Sequence, residues 1–304
     1  MTAATRTRRP SFSPVFVGAL LWCATSSSAA LADDIEIGKL LKDKGAKVTE
    51  SKGLVTAITI GDGSKLTDDD FRLIGQLVHL KSLDLSAGLN DARLAQLTGL
   101  GELEYLQTNL AQVTDEGLKP LAQLKNLRNV KLFHPGQAFS GAGLIRLAEL
   151  PKLERLTVAG SFAFNDDGMA AVAKLTRLQE FRLWHAGPTQ EGIQKLKALK
   201  NLKSLHLGQR LTYKPPACPS DETLAILAEM KSLESLQLDE ARLTFAALKQ
   251  LKQLPELKHL TLGGIDIPQA DVERLRKELP RLKIDWTEPN ESYRKRIRSL
   301  FGNE

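Results

Sequence analysis

The sequence has few aromatic residues and little sulfur. Phe, Trp and Tyr together make up 5% of 304 residues, with two Cys and three Met. Only Cys218 follows residue 23, so a chain cut after its first thirty residues has no partner for an internal disulfide. Long apolar runs are missing after the first thirty residues, which excludes a later membrane-spanning helix. No strong surplus of one charge is present. The formal net charge is +6, of which three charges lie in the first nine residues, and the nearly balanced remainder argues against a nucleic-acid protein, which carries a concentrated basic stripe. The sequence also lacks G-x-S-x-G, H-E-x-x-H and the phosphate-cradling G-x-x-x-x-G-K. With no catalytic signature, the expectation is a non-enzyme with no cofactor and no metal.

The N-terminus supplies the one apolar run. Arg6, Arg8 and Arg9 precede PVFVGALLWCA, and a run of small residues ends at Ala30-Leu31-Ala32 before Asp33-Asp34. This is the layout of a secretory signal peptide over residues 1–32. The run is shorter than the roughly 20 residues that span a bilayer. Trp22 before Cys23 is too bulky for lipid modification of that cysteine. Cleavage would leave 272 residues (304 minus 32) and a net charge of +3, since the leader carries three Arg and no acid. The expected location is therefore outside the cytoplasm, periplasmic or secreted.

What the chain has in quantity is leucine at regular intervals. Leu-x-x-Leu-x-Leu or a close variant starts at Val55, Leu80, Leu103, Leu127, Leu153, Leu178, Leu202, Leu233, Leu257 and Leu279. The ten copies are spaced 22 to 26 residues apart, except for one interval of 31. A period of 20–29 residues with this core is the signature of leucine-rich repeats. The last two apolar positions lie two apart, as on one face of a strand. A helical stretch follows each strand, most clearly VTDEGLKPLAQLKN, Val113 to Asn126. There Thr114 or Asp115 suits an N-cap, and Leu118, Leu121 and Leu124 share one side. One unit cannot bury its apolar face alone, so units must stack. The predicted fold is an α/β right-handed solenoid (horseshoe), with a parallel concave β-sheet about 45 Å across and helices outside.

The phrase VTDEGL, with the weaker FNDDGM and PTQEGI, resembles exported bacterial leucine-rich repeat proteins whose units continue into T-D-x-G-L. The resemblance covers about residues 35 to 286. The period is also similar to that of ribonuclease-inhibitor-like repeats and of F-box substrate-recognition proteins, but no F-box precedes these repeats. The resemblance implies protein binding in general and no catalytic residues. It also makes residues 33–54, with IGKLLKDKGAKVTES, an N-terminal cap before a repeat domain over 55–286.

Two segments break the repeat. LTYKPPACPSDE, Leu211 to Glu222, reads as an ordered loop with an accessible Cys218. Residues 287–304 read as a basic tail or capping helix, with Tyr293, Ile297, Leu300 and Phe301 on one face. A basic amphipathic helix can contact anionic lipid, but open solenoid ends need covering, so capping is the preferred reading.

The outward strand positions form one surface. Thr59, Asp84, Gln107, Lys131, Thr157, Arg182, His206, Gln237, Thr261 and Lys283 make one row. Gly61, Ser86, Asn109, Phe133, Ala159, Trp184, Gly208, Asp239 and Gly263 make the next. Phe133 and Trp184 stand out, two units apart and so roughly 10 Å from each other. Lys131, Arg182 and His206 lie beside them, and His134 and His185 follow them in sequence. These seven residues form the candidate binding site, because exposed aromatics with Arg are typical interface anchors. The expected ligand is a protein. A polysaccharide stacking on the two aromatics is the alternative, and an enzyme without a recognisable motif ranks third. A shared metal ion on His134, His185 and His206 is disfavoured by their spacing.

Overall fold

The computed structural model describes residues 33–208 and 218–302. The leader and most of the Leu211–Glu222 insertion lie outside those residues. Eleven strands form one sheet in sequence order. They are β1 (Lys47–Ser51), β2 (Leu54–Ile60), β3 (Ser82–Leu85), β4 (Tyr105–Asn109), β5 (Asn129–Phe133) and β6 (Arg155–Ser161). Then come β7 (Glu180–Ala186), β8 (Ser204–Leu207), β9 (Ser235–Asp239), β10 (His259–Gly263) and β11 (Lys283–Thr287). Strand β1 pairs antiparallel with β2, and every later pair is parallel. Residues 33–43 are helical and precede β1.

The core is a stack of leucines. Ile58, Leu83, Leu106, Val130, Leu156, Phe181, Leu205, Leu236 and Leu260 pair across neighbouring strands and are all buried. Burying one such side chain contributes about 1.5–3 kcal/mol. No unit holds enough of them to fold alone, which makes stacking obligatory. No helix among the described residues is long and apolar enough to cross a membrane.

The side opposite the sheet is thinner than expected. The predicted helix from Val113 to Asn126 is a 3-10 helix over Glu116–Gln123, and its neighbour Ala142–Glu149 is another. Pro120 inside the first has no N–H to donate. The three-residue spacing of Leu118, Leu121 and Leu124 suits three residues per turn. Strands about 4.8 Å apart crowd helices about 10 Å wide, and a narrower helix eases that mismatch.

The T-D-x-G-L phrase gains a physical meaning here. Asp115 does not cap its own helix with its side chain. Its carboxylate reaches the next unit, accepting from Ser140 N (2.9 Å), Ser140 Oγ (2.7 Å), Gly141 N (3.0 Å) and Gly143 N (2.8 Å). Asp91 likewise accepts from Thr114 N and Oγ1, Asp166 from Thr189 N and Oγ1, and Asp221 from Thr244 N and Oγ1. Gln190 continues the ladder to Ser220 and Thr223. The glycine of the phrase makes room for this reach. A Cβ on Gly117 would collide with the Asp91 carboxylate, and one on Gly192 with that of Asp166.

Three further expectations are corrected. Ile284 pairs with Leu260 and Trp286 with Leu262, so the last copy is displaced by two residues from Leu279-Leu282-Ile284. The open-face residue there is Asp285, opposite Thr261, and Lys283 pairs with His259. A two-residue slip preserves strand alternation, so the pattern alone could not detect it. Cys218 is buried at 5% exposure within the core, its sulfur 3.8 Å from Thr223 Oγ1. It sits just before the regular helix Asp221–Leu227, which also takes Asp221 and Glu222 out of the insertion.

Candidate functional site

The open face of the sheet carries the two rows read from the sequence. Registers Lys131↔Thr157↔Arg182↔His206↔Gln237 and Phe133↔Ala159↔Trp184 place them on strands β5 to β9. The Phe133 and Trp184 ring centroids are 6.1 Å apart, edge to face, closer than the roughly 10 Å expected from strand spacing. The rings converge over Ala159, which is only 2% exposed. On its other side Trp184 stacks on His206, with centroids 5.1 Å apart and planes at 18°. Three side chains from three strands thus form one aromatic strip.

Small neighbours explain why an aromatic fits where other units carry small or polar residues. Ala159 lies between Phe133 and Trp184. A Cβ on Gly208 would collide with the Cβ of Trp184. The row therefore alternates large and small across β5 to β8, and each ring leans over the gap beside it.

His206 is 8% exposed and anchored. Its Nε2 donates to Asp239 Oδ2 at 2.5 Å. A carboxylate can only accept, so this bond places a proton on Nε2. Gln237 Nε2 also reaches Asp239, at 3.2 Å to both carboxylate oxygens. Sequence reasoning missed this partner, because Asp239 lies on β9 and one row over.

The next residue after the strip is strained at three places. His134, His185 and Glu240 have φ of 45°, 50° and 54°, in the left-handed region. Gly160 and Gly264 occupy equivalent positions with φ of 75° and 61°. Non-glycine residues held there cost of order 1–3 kcal/mol, and such strain concentrates at functional sites. The sharp bend turns His134 over Gly160, whose Cβ would strike the imidazole. His134 is exposed and His185 half-buried.

The C-terminal helix Glu291–Phe301 returns to this rim. Arg296 Nη2 donates to His185 Nε2 at 3.4 Å, and Arg296 Nε lies 3.1 Å from Glu240 Oε2. His185 Nε2 is 3.6 Å from Glu240 Oε1. Ile297 is fully buried, Phe301 packs against the core, and the Tyr293 ring lies against Gly264. This use of Ile297 and Phe301 follows the preferred capping reading and takes away the apolar face that the lipid alternative needed.

The three histidines diverge: His206 goes to Asp239, His185 to Arg296, and His134 lies beside Phe133 at 6.5 Å. Among the described residues no three His, Cys, Asp or Glu side chains converge as metal ligands. Arg182 Nε holds Glu180 at 2.8 Å, and Arg155 Nε approaches the same residue at 3.8 Å. The Lys131 ammonium lies 5.3 Å above the Tyr105 ring. A cleft of about 580 Å³ lies beyond the strip, lined in part by Arg242, Asp266, Trp286 and Arg294. Within it or at its edge Arg242 pairs with Asp266, Arg294 with Glu288 and Arg298 with Glu291, so among the described residues it offers no unpaired cation, and the strip is the stronger candidate.

The uninterrupted parallel ladder from β2 to β11, with the leucine stack beneath it, defines the protein as a leucine-rich repeat solenoid. No family model and no curated protein matches the sequence. Among solved structures, the chain is similar to an internalin from Listeria monocytogenes, at 17% identity and a TM-score of 0.43, over 72% of this chain and 71% of that one. It is also similar to a Bacteroides fragilis protein, at 16% identity and 0.48, over 70% and 66%. A third likeness, to the protein of a TLR13–ssRNA13 complex, has 18% identity and 0.46, over 75% of this chain and 31% of that one. The fold assignment rests on the strand register itself, not on these values.

Proposed function

We propose that the protein is a non-catalytic recognition scaffold, exported on the strength of residues 1–32, that binds a protein partner through the open face of its sheet. The observation that carries this reading is the contact of Phe133, Trp184 and His206 across strands β5 to β8. A solenoid needs no aromatic on that face for stability, since its leucines are already buried on the other. Partly exposed aromatics backed by a hydrogen-bonded pair are what interface anchors require. The polysaccharide alternative is weakened by the same contact: one face of the indole is taken by His206, so it is closed to a sugar ring.

The test is a pull-down from the envelope and secreted fractions, with the wild type beside the Phe133→Ala, Trp184→Ala double variant. A partner held by the wild type and lost by the folded variant supports the reading. A partner held equally by both moves the site off the strip. N-terminal sequencing of the protein from the same fractions should begin at Asp33 if the leader is removed.

A further inference from the structure

We propose, resting on the strip as the recognition site, that its ligand is an extended acidic peptide segment anchored by one apolar side chain. The strip and its supports run from β5 to β9, four interstrand steps or about 19 Å, which matches roughly six residues of extended peptide. The apolar anchor docks against Phe133 and Trp184, the two half-buried rings above the Ala159 floor.

The charge follows from which groups are already satisfied. On β5 to β7 the open face carries Lys131, Arg155 and Arg182 against Glu180 alone, a surplus of two positive charges. Glu180 is shared by both arginines, and each guanidinium carries five N–H donors, so donors remain to spare. Lys131 has no carboxylate within ion-pair distance among the described residues. The nearby acids are already engaged, Asp239 on the same open face and Glu240 just beyond it. Asp239 is held by His206 and Gln237, and Glu240 by Arg296. The cations therefore point at the ligand while the carboxylates hold the site together. Arg296, on the opposite side of the aromatic row, is taken up by Glu240 and adds nothing to this surplus.

The test pans a random-peptide library on the purified protein, with the Phe133→Ala, Trp184→Ala variant as counter-selection. Enriched peptides should be net acidic with an aromatic or aliphatic residue. Their binding should weaken about fivefold in Lys131→Ala and in Arg182→Ala, and should weaken with salt. Charge reversal in Arg182→Glu should weaken it further. Neutral or basic peptides that still need Phe133 and Trp184 would overturn the acidic ligand and leave the site standing. So would peptides indifferent to Lys131 and Arg182. Equal enrichment on the counter-selection variant would overturn the site as well. No enrichment, or binding only to polygalacturonate as an anionic glycan probe, would overturn the peptide.

Discussion

Replacing Asp115 by alanine removes the acceptor for four hydrogen bonds that tie one unit to the next. Three of the donors are backbone N–H groups of Ser140, Gly141 and Gly143, which have no other side-chain acceptor as close. A hydrogen bond contributes about 1 kcal/mol net, more to a charged acceptor, and leaving a buried donor unmade costs about 1–3 kcal/mol. The junction is half-buried, so water replaces part of what is lost. About 1 kcal/mol for each backbone donor gives an expected loss of about 3 kcal/mol for Asp115→Ala. Asp115→Asn keeps one acceptor oxygen and should lose about half as much. Asp167→Ala is the control: its carboxylate is exposed and should change stability by about 0.5 kcal/mol or less. The assay is urea unfolding followed by far-UV circular dichroism. Units contact only their neighbours, so a weakened junction should also broaden the transition. A loss under about 1 kcal/mol, or one equal to that of Asp167→Ala, would refute the idea that the aspartate ladder couples the units.

Gly192→Ala should lose about 1–3 kcal/mol, because its Cβ meets the Asp166 carboxylate and approaches Met169 Cγ to 3.1 Å; Gly101→Ala, facing open space, should be nearly neutral by the same unfolding assay. Asp70 makes stability rise with pH in acid. Burial pushes its carboxyl up, but hydrogen bonds from Lys44 and Thr67, with the Lys44 charge, outweigh that and hold it below the ordinary range. The unfolded chain then binds more protons, so the contribution is complete above about pH 4 and lost as pH falls below it. Urea midpoints at neutral and acid pH should therefore differ less in Asp70→Asn than in the wild type. Leu156→Asp buries an unpaired charge in a fully buried position and should abolish the cooperative transition. Trp184→Ala should leave most of the stability in place, since the ring sits outside the leucine core, and a loss above about 3 kcal/mol would reassign it to structure.

The strand positions were legible because a buried leucine at a fixed interval leaves a period in the sequence that no other fold imposes. The two open-face rows were legible for the same reason, since alternation fixes which residues face outward. Helix type was not legible, because Leu118, Leu121 and Leu124 satisfy both an α-helix and a 3-10 helix. The burial of Cys218 was hidden by the prolines around it, which signal a loop and say nothing about which side faces the core. At the site, the sequence marked Phe133, Trp184 and His206 but not Asp239, Glu240 or Arg296. Glu240 and Arg296 are 56 residues apart, and His185 and Arg296 are 111 apart. No local pattern records such a meeting.

The sequence by itself determined that the chain stacks its units, which side each strand turns inward, and where two large rings interrupt a row of small residues. Those follow from local periodicity, which acts within one unit and is repeated by the next. Only the tertiary structure decided how far the rings lean, which nitrogen of His206 is held, and where the last helix comes to rest. These depend on the space left by neighbours such as Ala159, Gly160 and Gly208, and on charges brought together from units far apart. Packing and charge pairing between distant segments act through distance in space, and distance in space becomes defined only when the solenoid is complete.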